Sequence, residues 1–328
     1  KDEFETLMRI IKTIKERGIT IIYISHRLDE LFLIGDSITV LRDGKHVYTG
    51  DMDSLNHDRL VNLMIGRAVI PFTKKQQKNN SNTILELNRV KTKHVNDVSM
   101  FVKKSEIRGI YGLVGSGRTE ILRAIFGIDR LEYGEIKIKN KKIFFHNPYQ
   151  AINYGVGLLP ENRKEQGLVT NLPVWENASM VSINKFLSNG FINYKALFTE
   201  VSEFVNKLSI KTPSITTNVS SLSGGNQQKV IISKWLMRNC DILLVDEPTQ
   251  GIDVGAKAEI YGILEELAQE GKTVLIVSSE LEELLAVSHS ISVMYEGKLV
   301  NTFDLLDELD AKKFKNVQSP GGLNNVDR

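Results

Sequence analysis

The run Leu222-Ser-Gly-Gly-Asn-Gln-Gln-Lys-Val230, followed closely by Ile242-Leu-Leu-Val-Asp246-Glu247-Pro248-Thr249, restricts the folds open to this chain more than any other stretch. In the first run Ser223, Gly224 and Gly225 open a helix. Glycine lets backbone N–H groups close on an anion at a helix N-terminus, where the helix dipole favours negative charge. In the second run an apolar strand delivers two adjacent carboxylates to its C-terminal end. There Asp246 can hold Mg2+ and Glu247 can orient or deprotonate an attacking water. Taken singly, the first run reads as an N-cap after a turn and the second as a buried strand meeting its loop. Together and in this order they describe an α/β chain built to handle phosphate.

A third segment, Gly112-Leu-Val-Gly115-Ser116-Gly117-Arg118-Thr119, follows an apolar strand from Ile107 and enters a helix expected over Thr119 to Phe126. It matches G-x-x-x-x-G-K-[ST] except that Arg118 replaces Lys. The loop N–H groups can cradle phosphates and the Thr119 hydroxyl can reach Mg2+. Arg118 can pair with phosphate oxygens, but its planar fork differs from a compact ammonium.

At 328 residues the chain has room for one or two cores. A net charge of +2, spread along the sequence, gives no basic stripe and argues against a nucleic-acid partner. Cys240 is alone, which excludes a disulfide framework and a cysteine zinc site and suits a small core hydrophobe. No apolar stretch approaches the roughly 18 residues that span a bilayer, so any membrane role is expected to run through a partner.

Gly18-Ile-Thr-Ile-Ile-Tyr-Ile-Ser25 repeats as Gly271-Lys-Thr-Val-Leu-Ile-Val-Ser278, and Leu28-Asp-Glu-Leu31 as Leu281-Glu-Glu-Leu284; the match runs without a gap to Thr49. This is the pattern of a duplicated domain. Each copy reads as a buried strand, a loop, a short helix and two strands turning at Asp43-Gly44 or Glu296-Gly297. Phe4, Leu7, Met8, Ile11 and Ile14 recur at helical spacing, so the chain is expected to open inside a domain. The expected layout is the C-terminal part of a first domain over 1–70, a polar linker over 71–82, a complete second domain over 83–317, and a tail over 318–328. A helix-like segment is expected around Leu55 to Ile65, and strands over Ile84 to Leu87 and Val98 to Val102.

The glycine loop, the Ser-Gly-Gly run and the Asp-Glu strand resemble the Walker A, signature and Walker B motifs of ATP-binding cassette (ABC) proteins. The resemblance is most specific to the sugar-importer branch with two cassettes in one polypeptide. It rests on the Gly-Arg-Thr-Glu loop, Pro160-Glu-Asn-Arg-Lys164, Leu-Ser-Gly-Gly-Asn-Gln-Gln-Lys and Pro248-Thr-Gln-Gly-Ile-Asp-Val-Gly-Ala-Lys257. It implies a P-loop NTPase fold with a mixed-sheet core, an antiparallel β subdomain and a helical subdomain, preceded by the tail of a first cassette. The implied ligands are ATP and Mg2+. The implied partners are a transmembrane sugar permease and, through it, the membrane surface and a substrate-binding protein, with the subunit peripheral on the cytoplasmic face.

Within that resemblance Gly112, Gly115, Ser116, Gly117, Arg118 and Thr119 bind nucleotide, Thr119 and Asp246 bind the metal, and Glu247 is catalytic. Glu161 stands where a Gln usually contacts the metal and water, and Ser279 falls opposite His26, the catalytic switch histidine of the first copy. An adenine-stacking aromatic has no clear counterpart; only His94 lies near. The family pairs cassettes head to tail, so Ser223, Gly224 and Gly225 close the site served by His26. The second site, carrying Lys to Arg, Gln to Glu and His to Ser departures, is expected to turn over slowly or not at all. A soluble ABC ATPase acting on the ribosome or DNA is the rival reading. The short linker and the lack of zinc cysteines speak against it.

Overall fold

The computed structural model describes residues 2–25, 28–42, 44–56, 59–60, 63 and 82–305. The chain divides into two compact units, residues 1–73 with 253–258, and residues 74–252 with 259–328.

The first unit begins with the amphipathic helix Asp2–Glu16 and continues through the helix Leu28–Ile34 into the strands β1 (Ser37–Arg42) and β2 (Lys45–Asp51). β1 and β2 form an antiparallel hairpin with a bulge at Val40/Leu41. Val40, Leu55 and Leu60 form its buried cluster, with Phe32 and Ile38 packed against it. One expectation is corrected here: residues 19–25 form no strand, and Ile22 and Ile24 are 90% and 92% exposed. Among the described residues of this unit β1 and β2 pair only with each other, so the apolar run has no sheet to enter. His26, Asp43, residues 71–81 of the expected linker, most of the segment around Leu55 to Ile65, and the expected tail lie outside the described residues.

The second unit holds two sheets. The first is antiparallel, from β3 (Thr83–Lys91), β4 (Val98–Lys103), β6 (Tyr133–Ile138) and β7 (Lys141–Ile143), in the order β4-β3-β6-β7. The second is mixed, from β5 (Ile107–Tyr111), β8 (Val156–Leu159), β11 (Ile242–Asp246), β12 (Thr273–Ser278), β13 (Ser290–Tyr295) and β14 (Lys298–Asp304). Its order is β14-β13-β5-β12-β11-β8, parallel throughout except for β14 on the edge. Every residue of β11 and β12 is buried, as expected where helices cover both faces of a parallel sheet and the strands read as unbroken apolar runs. Cys240, just before β11, is fully buried and burial pushes its thiol up to about 12, so it acts as core filling.

A helical region hangs from the long buried helix Gly224–Met237. Helices Val174–Ser179 and Tyr194–Lys207 and the short hairpin β9–β10 (Leu187–Ser188, Phe191–Ile192) build it. Ala178, Leu197, Val201 and Met237 form its core, with Trp175 and Phe198 edge to face at 5.3 Å between ring centroids.

The parallel register decides where function can sit. Asp246 pairs with Val277 and Ser278 with Tyr111, so β5, β11 and β12 end level, and Leu159 of β8 pairs with Val245 beside them. The loops carrying Gly112–Gly117, Pro160–Arg163, Glu247–Gly251 and Ser279–Glu280 therefore leave one edge of the sheet. In open α/β sheets that edge is where ligands bind.

Candidate functional site

The glycine loop follows β5 and ends at Gly117, the left-handed cap (φ +95°) of helix Arg118–Ile125. Gly112 is required by space: a Cβ there would stand 2.5 Å from both Met294 O and Ser116 Oγ. The loop is braced from the β13–β14 turn, where Glu296 and Gly297 both have positive φ. Gly297 N–H donates to Ser116 O (2.9 Å) and Asn96 N–H donates to Gly297 O (2.7 Å). His94 is exposed, and its carbonyl lies against Gly117 and Gly297.

Two polar groups in this loop are buried with no protein partner: Ser116 Oγ and Arg118 Nη1. An unsatisfied buried donor is costly, about 1–3 kcal/mol and more when charged, and a water, an ion or a ligand would relieve that cost. An unpartnered guanidinium nitrogen at the head of a helix suits an anion such as phosphate. The other end of that guanidinium is engaged, with Nη2 3.4 Å from Glu247 Oε1 and both side chains largely buried.

Glu247 follows β11 with φ +41°, a conformation that turns its side chain back toward the loops of β5 and β12. Its Oε1 also accepts the Ser279 N–H at 2.7 Å, and Ser278 Oγ lies 3.4 Å from Oε2. Ser279 thus holds Glu247 through its backbone, while its own side chain is exposed. Thr119 Oγ1 donates to Asp246 Oδ1 at 3.2 Å, which places the two expected metal ligands side by side. Burial pushes the Asp246 carboxyl up to about 7, the Thr119 hydrogen bond opposes this, and Glu161 and Glu247 raise it further. The Thr119 hydroxyl and the Asp246 carboxylate are oxygen donors of the hard kind that Mg2+ prefers, although the described residues hold no cluster of three carboxylates or other side-chain ligands close enough to bind a metal by themselves. Glu161 itself is exposed and accepts from Gln250 Nε2 at 3.0 Å.

Ser223 caps the helix Gly224–Met237 by its backbone conformation alone, while its Oγ accepts from Asn226 Nδ2 at 2.8 Å. Among the described residues no hydrogen bond joins Ser223–Gly225 to Gly112–Thr119. The structure gathers the glycine loop, Asp246 and Glu247, and sets the Ser-Gly-Gly turn in a second cluster with Arg163, Gln227, Gln250 and Gly251, which Glu161 joins through Gln250 while its charge acts on Asp246. Sequence reasoning gave Arg163, Ser278 and Gln250 no role. Arg163 was within reach, since it stands in the Pro160–Lys164 segment, but only the fold shows what it touches.

The architecture and this edge define the class: residues 82–305 fold as an ABC ATP-binding cassette. Residues 95–250 match the family described as ABC transporter. The chain superposes on a nucleotide-free ATP-binding cassette from an ABC transporter with a TM-score of 0.62 and 25% identity, over 75% of this chain and 99% of that one. A dimeric bacterial ABC transporter cassette shares the fold at a TM-score of 0.60 and 23% identity, over 68% of this chain and 99% of that one. Among curated proteins, the ribose import ATP-binding protein RbsA of Streptococcus agalactiae serotype III is 42% identical over 90% of this chain and 60% of its own length. A putative ribose/galactose/methyl galactoside import ATP-binding protein of Geobacillus kaustophilus is 43% identical over 90% of this chain and 59% of its own length. The chain is therefore homologous to sugar-import ATP-binding proteins, and it spans about 60% of the length of these relatives.

Proposed function

We propose that the chain is the greater part of an ATP-hydrolysing subunit that drives import of a monosaccharide through a transmembrane permease. One observation carries the nucleotide half of this reading: buried, unpartnered Arg118 Nη1 and Ser116 Oγ in a left-handed glycine loop, beside the Thr119–Asp246 pair and Glu247. The sugar half is supported by the kinship to ribose and galactose import proteins.

In this reading Gly115–Thr119 hold the phosphates through N–H groups and Arg118, and Thr119 and Asp246 hold Mg2+. When bound, the metal neutralises charge that develops on the phosphoryl oxygens. Glu247 orients the attacking water, and Glu161 lines the approach. Residues 83–317 form a second cassette that follows the C-terminal part of a first over 1–70, joined by the linker 71–82. Ser223, Gly224 and Gly225 close the first cassette's site in a head-to-tail pair, where His26 serves as the switch residue. That site is the main hydrolytic one. The site on Arg118 binds nucleotide and turns over slowly, because Glu247 is engaged by Arg118 and by the Ser279 N–H. The permease and, through it, the substrate-binding protein are the partners, with the subunit peripheral on the cytoplasmic face of the membrane.

The test is a vesicle reconstitution of the full-length protein with its permease, measuring phosphate release with and without candidate monosaccharides and their binding protein. Sugar-dependent stimulation supports the reading. ATP hydrolysis indifferent to every pentose and hexose, or stimulated instead by ribosomes or DNA, would overturn it.

A further inference from the structure

Arg163 contributes nothing to the glycine loop, yet it ties together two segments far apart in sequence. It leaves β8 in a π-helical turn, Arg163–Gly167, capped by Asn162, whose Oδ1 accepts the Glu165 N–H. Here the guanidinium donates from all three nitrogens: Nη1 to Gln250 O (2.7 Å), Nη2 to Gly251 O (3.3 Å) and Nε to Gln227 Oε1 (3.3 Å). Gln250 and Gly251 lie in the loop that follows Glu247. Gln227 is in the first turn of the helix that Ser223 opens.

Each acceptor is itself fixed. Gln227 is 3% exposed and donates its amide to Val219 O at 3.0 Å, which leaves Oε1 facing Arg163. The Gln250 amide donates to Glu161 Oε1, so the Glu161–Arg163 segment holds Gln250 by side chain and by carbonyl. Gly251 has φ +64°. Gly224 completes the arrangement by lacking a side chain: a Cβ there would lie 2.7 Å from Arg163 Nη2 and 3.3 Å from Gly251 O. The three acceptors are reached from three separate nitrogens of one rigid plane, a spread that an ammonium does not reproduce, because its three donors share a single nitrogen at the end of a flexible stem. The acceptors are neutral, and partial burial lowers the pKa of the guanidinium. The side chain therefore serves geometry rather than ion pairing.

We propose that Arg163 is a positioning residue for ATP hydrolysis, a clamp that sets the turn Ser223–Gly225 against the loop Gln250–Gly251. It rests on the ATP-hydrolysing reading above. The chemical consequence follows from orientation: donors that stabilise a transition state lose on the order of 10²-fold in rate when displaced by about 1 Å.

Two measurements test it. In this chain, Arg163→Ala should raise amide hydrogen exchange about 10-fold or more over residues 223–228 and 249–252, with β5, β11 and β12 unchanged, since removal of a charged hydrogen bond is worth about 1.5–3 kcal/mol. Exchange equal to wild type in those segments overturns the clamp. In the full-length protein, Arg163→Ala should lower kcat about 10- to 100-fold with KM for ATP within about 3-fold, and Arg163→Lys should not restore it. Full rescue by Lys would reduce the role to charge, and an unchanged kcat would remove it; either result overturns the proposal. If the wild type hydrolyses ATP without responding to sugar, the importer reading fails while both Arg163 measurements still stand.

Discussion

The contact between Arg118 and Glu247 makes nucleotide binding a competition for one guanidinium. At 3.4 Å, with side chains 8% and 13% exposed, the two charges attract with a gross Coulomb energy of about 5 kcal/mol at an effective dielectric of about 20. Desolvation of the pair offsets much of this. The share that an arriving phosphate must overcome is then about 1–2 kcal/mol, or about 5- to 30-fold in Kd. Glu247→Gln keeps the shape of the side chain and an oxygen for the Ser279 N–H but releases Arg118. It should tighten binding of a non-hydrolysable Mg-ATP analogue to this chain by that factor, measured by isothermal titration. Arg118→Ala should weaken binding about 10- to 100-fold, because a charge-assisted hydrogen bond is worth about 1.5–3 kcal/mol. The decisive comparison is the double variant. In the Arg118→Ala background Glu247→Gln should gain less than about 2-fold, since no guanidinium remains to be released. An equal gain in both backgrounds would show that Glu247 repels phosphate through space and that the ion pair plays no part.

Three further outcomes are expected. Lys234 is buried, donates to Gly167 O at 2.6 Å, and has its pKa lowered by burial from 10.5 to about 8. The unfolded chain holds more protons between those values, so stability rises with pH from about 8 to about 10.5, and the penalty of the charged form, about 3 kcal/mol, is complete below pH 8. Lys234→Met should therefore stabilise the protein by about 1–2 kcal/mol at pH 7, after loss of one hydrogen bond of about 1 kcal/mol, and by less at pH 10; denaturant midpoints at both pH values check this, and equal destabilisation at both refutes it. Gly297→Ala would force a side chain into a φ of +76° with its Cβ 2.5 Å from His94 O. It should lower stability by about 2 kcal/mol or more and weaken analogue binding as the brace on Ser116 shifts, both measurable on the same sample. In the full-length protein, Ser223→Arg should abolish transport and His26→Ala should lower kcat about 10²- to 10³-fold, whereas Ser279→Ala should change little because Ser279 holds Glu247 by its N–H; losses of equal size for His26→Ala and Ser279→Ala would place hydrolysis at the Arg118 site.

The sequence alone determined the local chemistry and the strand pattern. Unbroken apolar runs at Ile242–Val245 and Val274–Val277 specify strands buried on both faces, because only a covered parallel sheet can take side chains of one kind in both directions. Gly112 stands where a Cβ has no room, Gly115 and Gly117 take the positive φ that glycine adopts without strain, and Asp246 and Glu247 announce carboxylates at a strand end. These are short-range constraints, and spacing along the chain records them. Tertiary structure decided the rest, because hydrogen-bonding directions and burial depend on what a distant segment brings. The apolar run in residues 19–25 reads like its repeat over 272–278, yet only the latter finds neighbouring strands; pattern gives a segment the capacity to be a strand, and pairing makes it one. The same holds for Glu30 and Glu283, which occupy matching places in the repeat. Ser25 Oγ donates to Glu30 and Ser278 Oγ to Glu283, but Tyr23 adds a hydroxyl in the first copy, whereas Thr249 and Tyr261 do so in the second. Arg118 reads as a phosphate ligand in sequence; that it also holds Glu247, and that Arg163 reaches the loop after Glu247, follows only from level strand ends that bring residues more than eighty positions apart within reach of each other.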